Sequence, residues 1–257
     1  MTGLSKDSRF DSSRSTLAPE DHLNIDVVIP AYNEEESIGL VLQKIPASFV
    51  REVVVCNNGS KDKTREVALS FGATVVDQSE PGYGNACLKG LEYLRNKAPE
   101  DQPDVVVFLD GDYSDYPEQL PVVVRPIIEE GYDLVIGSRA LGKKERGAML
   151  PQQVFGNWLA TSLIRLFFNY RFTDLGPFRA IRWDKLNKLN MQDQNFGWTV
   201  EMQVKAAKHK MKCIEVPVDY RCRVGVSKIS GTIKGTFLAG HKILWTIFSS
   251  IWSREGR

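Results

Sequence analysis

The chain has 257 residues, of which 42% are apolar and 25% are charged, a composition typical of an ordinary globular protein. Its formal net charge of +1 gives no reason to expect that it binds nucleic acid. No run of about 18 uninterrupted apolar residues predicts a membrane-spanning helix, and the first residues lack the apolar segment of a signal peptide. No internal linker-like stretch appears, so we expect one large domain. The four cysteines form no CxxC pair, which favours a reduced, cytoplasmic protein.

The hydrophobic pattern predicts strands that alternate with helices along most of the chain. The predicted strands are Ile25–Ile29, Glu52–Cys56, Ala73–Asp77, a run beginning at Val105, a run beginning at Asp133, and Lys212–Val218. Helices are expected between the first five strands, and further helices are predicted from Pro151 to about Tyr170, from Phe196 through Ala207 and from about Thr232 to Trp252. The alternation requires right-handed crossovers, which predict an α/β fold with a mostly parallel sheet flanked by helices.

The apolar run that begins at Val105 ends in Asp110-Gly111-Asp112, and this stretch is the centre of the predicted site. A strand without polar alternation is expected to be buried on both faces, as in a parallel sheet. Gly111 allows a sharp turn, so Asp110 and Asp112 can direct oxygen ligands to one divalent cation such as Mg²⁺ or Mn²⁺. Asp-Gly-Asp also occurs in plain surface turns, so the metal site depends on the signals around it.

Polar loops follow four of the predicted strands. They are Tyr32-Asn33-Glu34, Asn57-Asn58-Gly59-Ser60, Asp110-Gly111-Asp112 and Gly137-Ser138-Arg139. The carboxyl ends of parallel strands share one edge of a sheet, so these loops are expected to form a polar crevice of nucleotide size. The first strand is not followed by GxGxxG, and GxxxxGK[ST] does not occur, which disfavours dinucleotide enzymes and P-loop NTPases.

The ordered motifs Pro30-Ala-Tyr-Asn-Glu34, Asn58-Gly-Ser60, Asp110-Gly-Asp112 and Gly137-Ser-Arg139 resemble those of family-two glycosyltransferases with the GT-A fold. Within that family the chain resembles the branch of dolichyl-phosphate mannose synthases and related polyprenyl-phosphate sugar transferases. The resemblance covers about residues 25 to 245. It implies an inverting transfer, assisted by Mg²⁺ or Mn²⁺, from a nucleotide-diphosphate sugar that we expect to be UDP-linked.

The resemblance also implies roles for individual residues. The residues expected to bind the nucleotide sugar are Pro30, Tyr32, Glu34, Asn57, Gly59, Ser60, Gly84, Asp110, Gly111, Asp112, Arg139 and Trp198. Asp110 and Asp112 would hold the metal, and Arg179, Arg223, Ser227 and Lys228 would contact the diphosphate or the acceptor. Asn57 stands where the family usually has an aspartate facing the base. Because its amide can both donate and accept hydrogen bonds, the nucleotide remains open.

The catalytic carboxylates implied by the resemblance are Asp174, Glu201 and Asp112. The expected acceptor is a polyprenyl phosphate or another lipid-linked group. A phosphate is already ionised near neutral pH and needs no base, whereas a soluble hydroxyl acceptor would require Asp174 or Glu201 as general base. Charge stabilisation near a helix N-terminus is an alternative explanation for Glu201.

Two other functions stay open at this point. A nucleotidyltransferase would need a glycine- and lysine-rich loop after the first strand, and Pro30-Ala-Tyr-Asn-Glu34 is not one. A non-catalytic sugar-nucleotide-binding module is disfavoured because the metal pair and both candidate carboxylates are present.

The predicted organisation has three parts. Residues 1–23 form a disordered tail, residues 24–230 a GT-A catalytic domain, and residues 231–257 an amphipathic helix. This helix is expected either to pack on the domain or to lie at the cytoplasmic face of a membrane. A homodimer is left open.

Overall fold

The computed structural model describes residues 23–225 and 233–252, with the side chains of the second range described from Gly240 onward. The expected tail and the predicted phosphate ligands Ser227 and Lys228 lie outside the described residues. Seven strands form one sheet in the described part of the chain. They are β1 (Ile25–Ala31), β2 (Glu52–Asn57), β3 (Thr74–Asp77), β4 (Val105–Phe108), β5 (Leu134–Ser138), β6 (Arg179–Arg182) and β7 (Cys213–Pro217).

Helices lie between the strands and after the last one. They are α1 (Ile38–Lys44), α2 (Thr64–Ser70), α3 (Tyr83–Arg95), α4 (Leu120–Glu130), α5 (Pro151–Phe168), α6 (Trp183–Leu189), α7 (Trp198–Lys208) and α8 (Ile233–Trp252). Short 3₁₀ helices occur at Pro99–Asp101 and Pro117–Gln119.

The sheet has the order β3-β2-β1-β4-β6-β5-β7. All neighbouring strands are parallel except β6, which is antiparallel to both β4 and β5. Successive residues of β1 and β4 enter two different hydrophobic clusters, one on each face of the sheet. Strands buried on both faces account for the unbroken apolar runs in the sequence, and the predicted α/β fold with a mostly parallel sheet is confirmed.

Strand β6 was not among the predicted strands, because its four residues, Arg179-Ala-Ile-Arg182, have no strong apolar pattern. It pairs with β4 and β5, so that Arg179 is opposite both Phe108 and Ile136. The insertion of β6 brings the segment before it close to the ends of β4 and β5. This topology therefore places Asp174 beside the loop that carries Arg139.

Helix α8 packs on α5 and α7. Phe167 of α5 and Phe248 of α8 meet edge to face, with ring centroids 5.7 Å apart. Other apolar side chains of these two helices point to solvent, including Trp158, Trp245 and Trp252. None of the helices within residues 23–225 and 233–252 is long and apolar enough to span a membrane. Cys56, Cys87, Cys213 and Cys222 are free cysteines.

Candidate functional site

A cleft of about 500 Å³ opens at the carboxyl ends of β1, β2, β3 and β4. Its walls come from the loops after these strands, from the start of α3 and from a segment before α7. The predicted donor-binding and phosphate-binding residues that line it are Pro30, Tyr32, Glu34, Gly59, Asp110, Gly111, Asp112 and Arg223. Eight of the expected residues thus meet in one cavity of the size that small-molecule sites usually have.

Asp110 and Asp112 lie just after β4, and their carboxylates have different hydrogen-bond partners. Tyr83 donates its hydroxyl hydrogen to Asp110 Oδ1 over 2.9 Å. Asp112 Oδ1 accepts hydrogen bonds from the backbone and the hydroxyl of Ser114, and Asp112 Oδ2 lies 3.2 Å from the guanidinium of Arg223. Burial and then the negative charge of Asp112 raise the pKa of Asp110 to about 7. The pair therefore concentrates negative charge in the cleft.

A third carboxylate, Asp115, lies close to this pair and is 1% exposed. Neither of its side-chain oxygens has a hydrogen-bond partner among the described residues. Burial, followed by the charges of Asp110 and Asp112, raises the pKa of Asp115 well above its ordinary value. These surroundings favour the neutral, protonated form of Asp115, so the negative charge at the end of β4 rests on Asp110 and Asp112.

These residues fit a divalent cation. Carboxylate oxygens are the ligands that Mg²⁺ prefers, and a cation would offset the repulsion that raises the pKa of Asp110. No cluster of three or more metal-binding side chains occurs within the described ranges, so Asp110 and Asp112 would leave further coordination positions open. That arrangement suits an ion that shares its coordination with substrate phosphates and water.

Arg223 connects two walls of the cleft. Its guanidinium donates to Glu34 Oε1 over 2.9 Å and pairs with Asp112 on the other side. Arg223 is partly exposed and lies in the loop that follows β7. It is therefore a cation in position to meet an anionic group that enters the cleft.

The loop after β2 uses its asparagines for internal structure. Asn57 donates to Asp77 Oδ1 over 2.8 Å and accepts from the backbone of Ser60. Asn58 donates to the carbonyls of residues 78 and 80, and the hydroxyl of Ser60 accepts from the backbone of Asn33. Asn57 and Ser60 thus lie behind the cleft and hold its wall, whereas Gly59 and Asn58 line it.

Arg139 and Asp174 form a buried ion pair beside the cleft. Both guanidinium nitrogens that face Asp174 donate to it, at 2.8 and 2.7 Å, and the backbone of Arg139 donates to it at 2.7 Å. Burial alone would raise the pKa of Asp174, but the charge and hydrogen bonds of Arg139 outweigh it and hold that pKa below its ordinary value. Asp174 is thus a fully paired carboxylate and does not line the cleft.

Two further residues with expected roles, Arg179 and Trp198, lie in the protein interior. Arg179 is 0% exposed and donates to the carbonyls of Leu175, Gly176 and Thr199, so it does not reach the cleft. Trp198 is 1% exposed and packs edge to face on Phe108 in the core. It therefore does not line the cleft, where the resemblance implied that it would contact the nucleotide sugar.

Glu201 faces away from the donor cleft. Its carboxylate accepts backbone hydrogen bonds from Gln192 and Asp193 and pairs with Lys205. It lines a different cavity of about 290 Å³ between α7 and α8. Gly84 supports the donor cleft from behind, since a Cβ there would lie 1.9 Å from the carbonyl oxygen of Asp193.

The cleft also contains residues that had no predicted role. They are Ala31, Asn58, Lys61, Ser79, Pro81, Gly82, Tyr83, Ala86, Asn195 and Phe196. Pro81-Gly82-Tyr83-Gly84 is a glycine-rich turn that enters α3. Nothing in the sequence pattern pointed to Asn195 and Phe196, because they come from a short loop far along the chain.

Comparison with known proteins identifies the class to which this fold and cleft belong. A glucosyl-3-phosphoglycerate synthase from Mycobacterium tuberculosis, crystallised with Mn²⁺, uridine diphosphate and phosphoglyceric acid, superposes with a TM-score of 0.69. The match is 22% identical in sequence and covers 90% of this chain and 79% of that one. The fold is therefore that of the GT-A glycosyltransferases.

Sequence relatives define the family. The model of glycosyl transferase family 2 matches residues 26–194. An uncharacterised glycosyltransferase from Mycobacterium tuberculosis H37Rv is 35% identical, with 84% of this chain and 94% of that protein covered. A dolichyl-phosphate hexose transferase from Haloferax volcanii is 34% identical, with 79% and 85% covered. The chain belongs to glycosyl transferase family 2 and is a glycosyltransferase, which confirms the resemblance.

Proposed function

We propose that this glycosyltransferase moves a sugar, with inversion, from a UDP-linked donor to a polyprenyl phosphate or another lipid-linked acceptor. The observation that carries the proposal is the cleft in which Asp110, Asp112 and Arg223 meet at the carboxyl edge of the sheet. The name of the dolichyl-phosphate hexose transferase supports the acceptor, and the UDP and Mn²⁺ of the crystallised neighbour support the donor and the metal.

Different residues of the cleft are proposed to bind different parts of the donor. Asp110 and Asp112 would hold Mg²⁺ or Mn²⁺, which when bound would stabilise negative charge on the leaving diphosphate. Arg223 is the cation available to a phosphate group at the same place, since it already contacts Asp112 and Glu34. Tyr32 is 42% exposed at the cleft, which suits contact with the base or ribose of the nucleotide.

The state of the two candidate bases favours a phosphate acceptor. Asp174 is engaged by Arg139 through three hydrogen bonds, and its lowered pKa makes it a weak proton acceptor. Glu201 binds backbone amides and Lys205 on the side of α7 away from the donor cleft. A hydroxyl acceptor would need one of them as base, whereas an ionised phosphate needs neither.

The surface of α5 and α8 suits a lipid-linked acceptor. Four exposed apolar side chains of α5 recur at helical spacing, and three exposed aromatic side chains of α8 do the same. They are Val154, Phe155, Trp158 and Leu166 on α5, and Trp245, Phe248 and Trp252 on α8. The exposed basic residues Lys143, Lys144 and Arg146 lie just before α5. We propose that these helices rest on the cytoplasmic face of a membrane.

The proposal is tested first by calorimetric titration of the protein with UDP, GDP and dTDP, each with and without Mn²⁺. We expect UDP to bind tightly only when Mn²⁺ is present. Absence of binding by all three nucleotides in both conditions would contradict the donor assignment.

A transfer assay then tests the acceptor. The protein is incubated with labelled UDP sugars and vesicles that contain a polyprenyl phosphate. Label in the lipid fraction is the expected result. Transfer only to soluble hydroxyl compounds would favour the alternative acceptor class.

A further inference from the structure

Residues 192–197, between α6 and α7, form a segment that joins the donor cleft to the last helix. Asn195 and Phe196 of this segment line the donor cleft. Gln192 and Asp193, at its start, line the second cavity together with residues of α8. The same six residues therefore contact both regions of the molecule.

On the cleft side the segment packs tightly on the start of α3. The backbone of Asn85 donates to the carbonyl of Gln194 over 2.9 Å. A Cβ on Gly82 would lie 2.2 Å from that same carbonyl oxygen, so only glycine permits this approach. Tyr83, between these contacts, donates to Asp110. A shift of the segment would therefore move the wall of the cleft that supports Asp110.

On the other side Asp193 anchors the segment. Asp193 Oδ1 accepts hydrogen bonds from the backbones of Asn195 and Gly197, at 2.8 and 3.0 Å. Its second oxygen lies 2.9 Å from Nζ of Lys242 on α8. A Cβ on Gly197 would be 2.6 Å from the hydroxyl of Thr246, so α8 also touches the end of the segment. The side chain of Asp193 is 5% exposed, and its charge is balanced by Lys242.

We propose that Asp193 and Lys242 are positioning residues for the nucleotide sugar. The ion pair between them orients the carboxylate of Asp193, which in turn holds the two backbone amides that fix Asn195 and Phe196 in the cleft. Helix α8, which lies outside the cleft, thereby contributes to donor affinity. This inference rests on the proposed function in one respect, namely that the cleft binds a nucleotide sugar.

The test uses Asp193→Asn, Lys242→Met and the double variant, with UDP and Mn²⁺ titrated into each full-length protein. Each single variant should bind UDP about three- to tenfold more weakly, because one partner of a directed ion pair is lost. The double variant should bind no more weakly than the weaker single variant, since the two residues act through one contact. Lys242→Arg should restore most of the affinity, which a loss of general stability would not explain.

Lys208→Met is the matched control. Lys208 of α7 donates to the carbonyl of Ser250 on α8, so its loss removes a different polar contact of α8, one that does not involve residues 192–197. UDP affinity should be unchanged in that variant, and thermal unfolding should report any loss of stability in all of them. Wild-type affinity in both single variants, or fully additive losses in the double variant, would overturn the inference alone. Failure of the wild-type protein to bind any nucleotide would overturn the proposed function as well.

Discussion

Asp112 is the residue whose removal should affect the donor cleft most directly. One of its oxygens is held by Ser114 and the other faces Arg223 and the cleft. We expect Asp112→Ala to weaken Mn²⁺-dependent UDP binding by about a hundredfold or more. The substitution removes one oxygen ligand of the proposed metal site and also the carboxylate that pairs with Arg223. Calorimetry measures the affinity, and circular dichroism checks that the fold is kept.

The control for Asp112→Ala is Asp184→Ala. Asp184 is an exposed aspartate at the start of α6 that pairs with Arg182 on the surface. Its removal should leave both UDP affinity and Mn²⁺ dependence unchanged. Unaltered metal-dependent binding by Asp112→Ala would show that the metal site has been assigned to the wrong residues.

The buried pair of Arg139 and Asp174 should contribute mainly to stability. Asp174→Asn removes the negative charge and leaves the Arg139 guanidinium buried, which costs about 3–5 kcal/mol in comparable pairs. The pKa of Asp174 is lower in the folded protein than in the unfolded chain. The ionised carboxylate therefore stabilises the fold above the unfolded-state pKa, and this stabilisation is lost as the pH falls through the folded-state pKa. Urea unfolding should therefore show a large difference between the variant and the wild type at pH 7, and a smaller one below about pH 4.

The comparison for Asp174→Asn is Asp184→Asn, since a surface pair of this kind contributes at most about 1 kcal/mol. The Asp174→Asn variant could instead lose the same unfolding free energy at every pH. That result would contradict a stabilising role for the ionised form of Asp174.

Individual side chains could be predicted from the sequence only where the local motif determines their direction. Asp110 and Asp112 end a strand, so their place at the sheet edge follows from the strand alone. Trp198 and Glu201 lie on α7, in which Trp198 and all residues from Val200 to Ala207 are buried. A helix buried nearly all round has no polar stripe, and the sequence therefore contained no signal for the face on which Glu201 would lie.

For the strands too, the sequence predicts only those whose own residues form a clear local pattern. Strands β1, β2 and β4 are mostly apolar runs with polar ends. The bounds of β1 and β2 were predicted to within two residues, and β4 begins at Val105 as predicted. Strand β6 is only four residues long and is bounded by two arginines. It forms because β4 and β5 provide backbone partners on both sides, which is a tertiary effect that no local pattern contains.

The contact between α3 and residues 192–197 leads to a prediction about Gly84. A Cβ on Gly84 would lie 1.9 Å from the carbonyl oxygen of Asp193, so Gly84→Ala must push the two elements apart. We expect the variant to lose about 1–3 kcal/mol of unfolding free energy and to bind UDP about tenfold more weakly. Urea unfolding and calorimetry give the two quantities.

Gly156→Ala is the matched substitution. Gly156 lies inside α5, and a Cβ there would meet nothing within 4 Å. Alanine favours a helix over glycine by about 1 kcal/mol, so this variant should be slightly more stable and should keep its UDP affinity. Normal UDP binding by Gly84→Ala would mean that residues 192–197 do not shape the donor cleft.

For the molecule as a whole, the question is how a protein whose described helices do not span a membrane would reach a lipid-linked acceptor. Trp158 on α5 is 60% exposed and lies beside Phe155, with ring centroids 5.8 Å apart. An exposed pair of aromatic rings on the helix that follows Lys143, Lys144 and Arg146 is expected to enter the interface of an anionic membrane. Trp158→Asp should therefore reduce partitioning into phosphatidylglycerol vesicles about tenfold or more, as measured by sedimentation with the vesicles.

The comparison for Trp158→Asp is Leu69→Asp, which places the same charge at an exposed apolar residue of α2. Both substitutions add one negative charge, so general repulsion from the vesicle is the same in each, and only the loss of the aromatic contact differs. Leu69→Asp should keep nearly wild-type partitioning, and both variants should bind UDP normally because neither residue lines the donor cleft. If Trp158→Asp binds vesicles as well as Leu69→Asp does, α5 is not the surface that meets the membrane, and a soluble acceptor becomes the better explanation of the cleft.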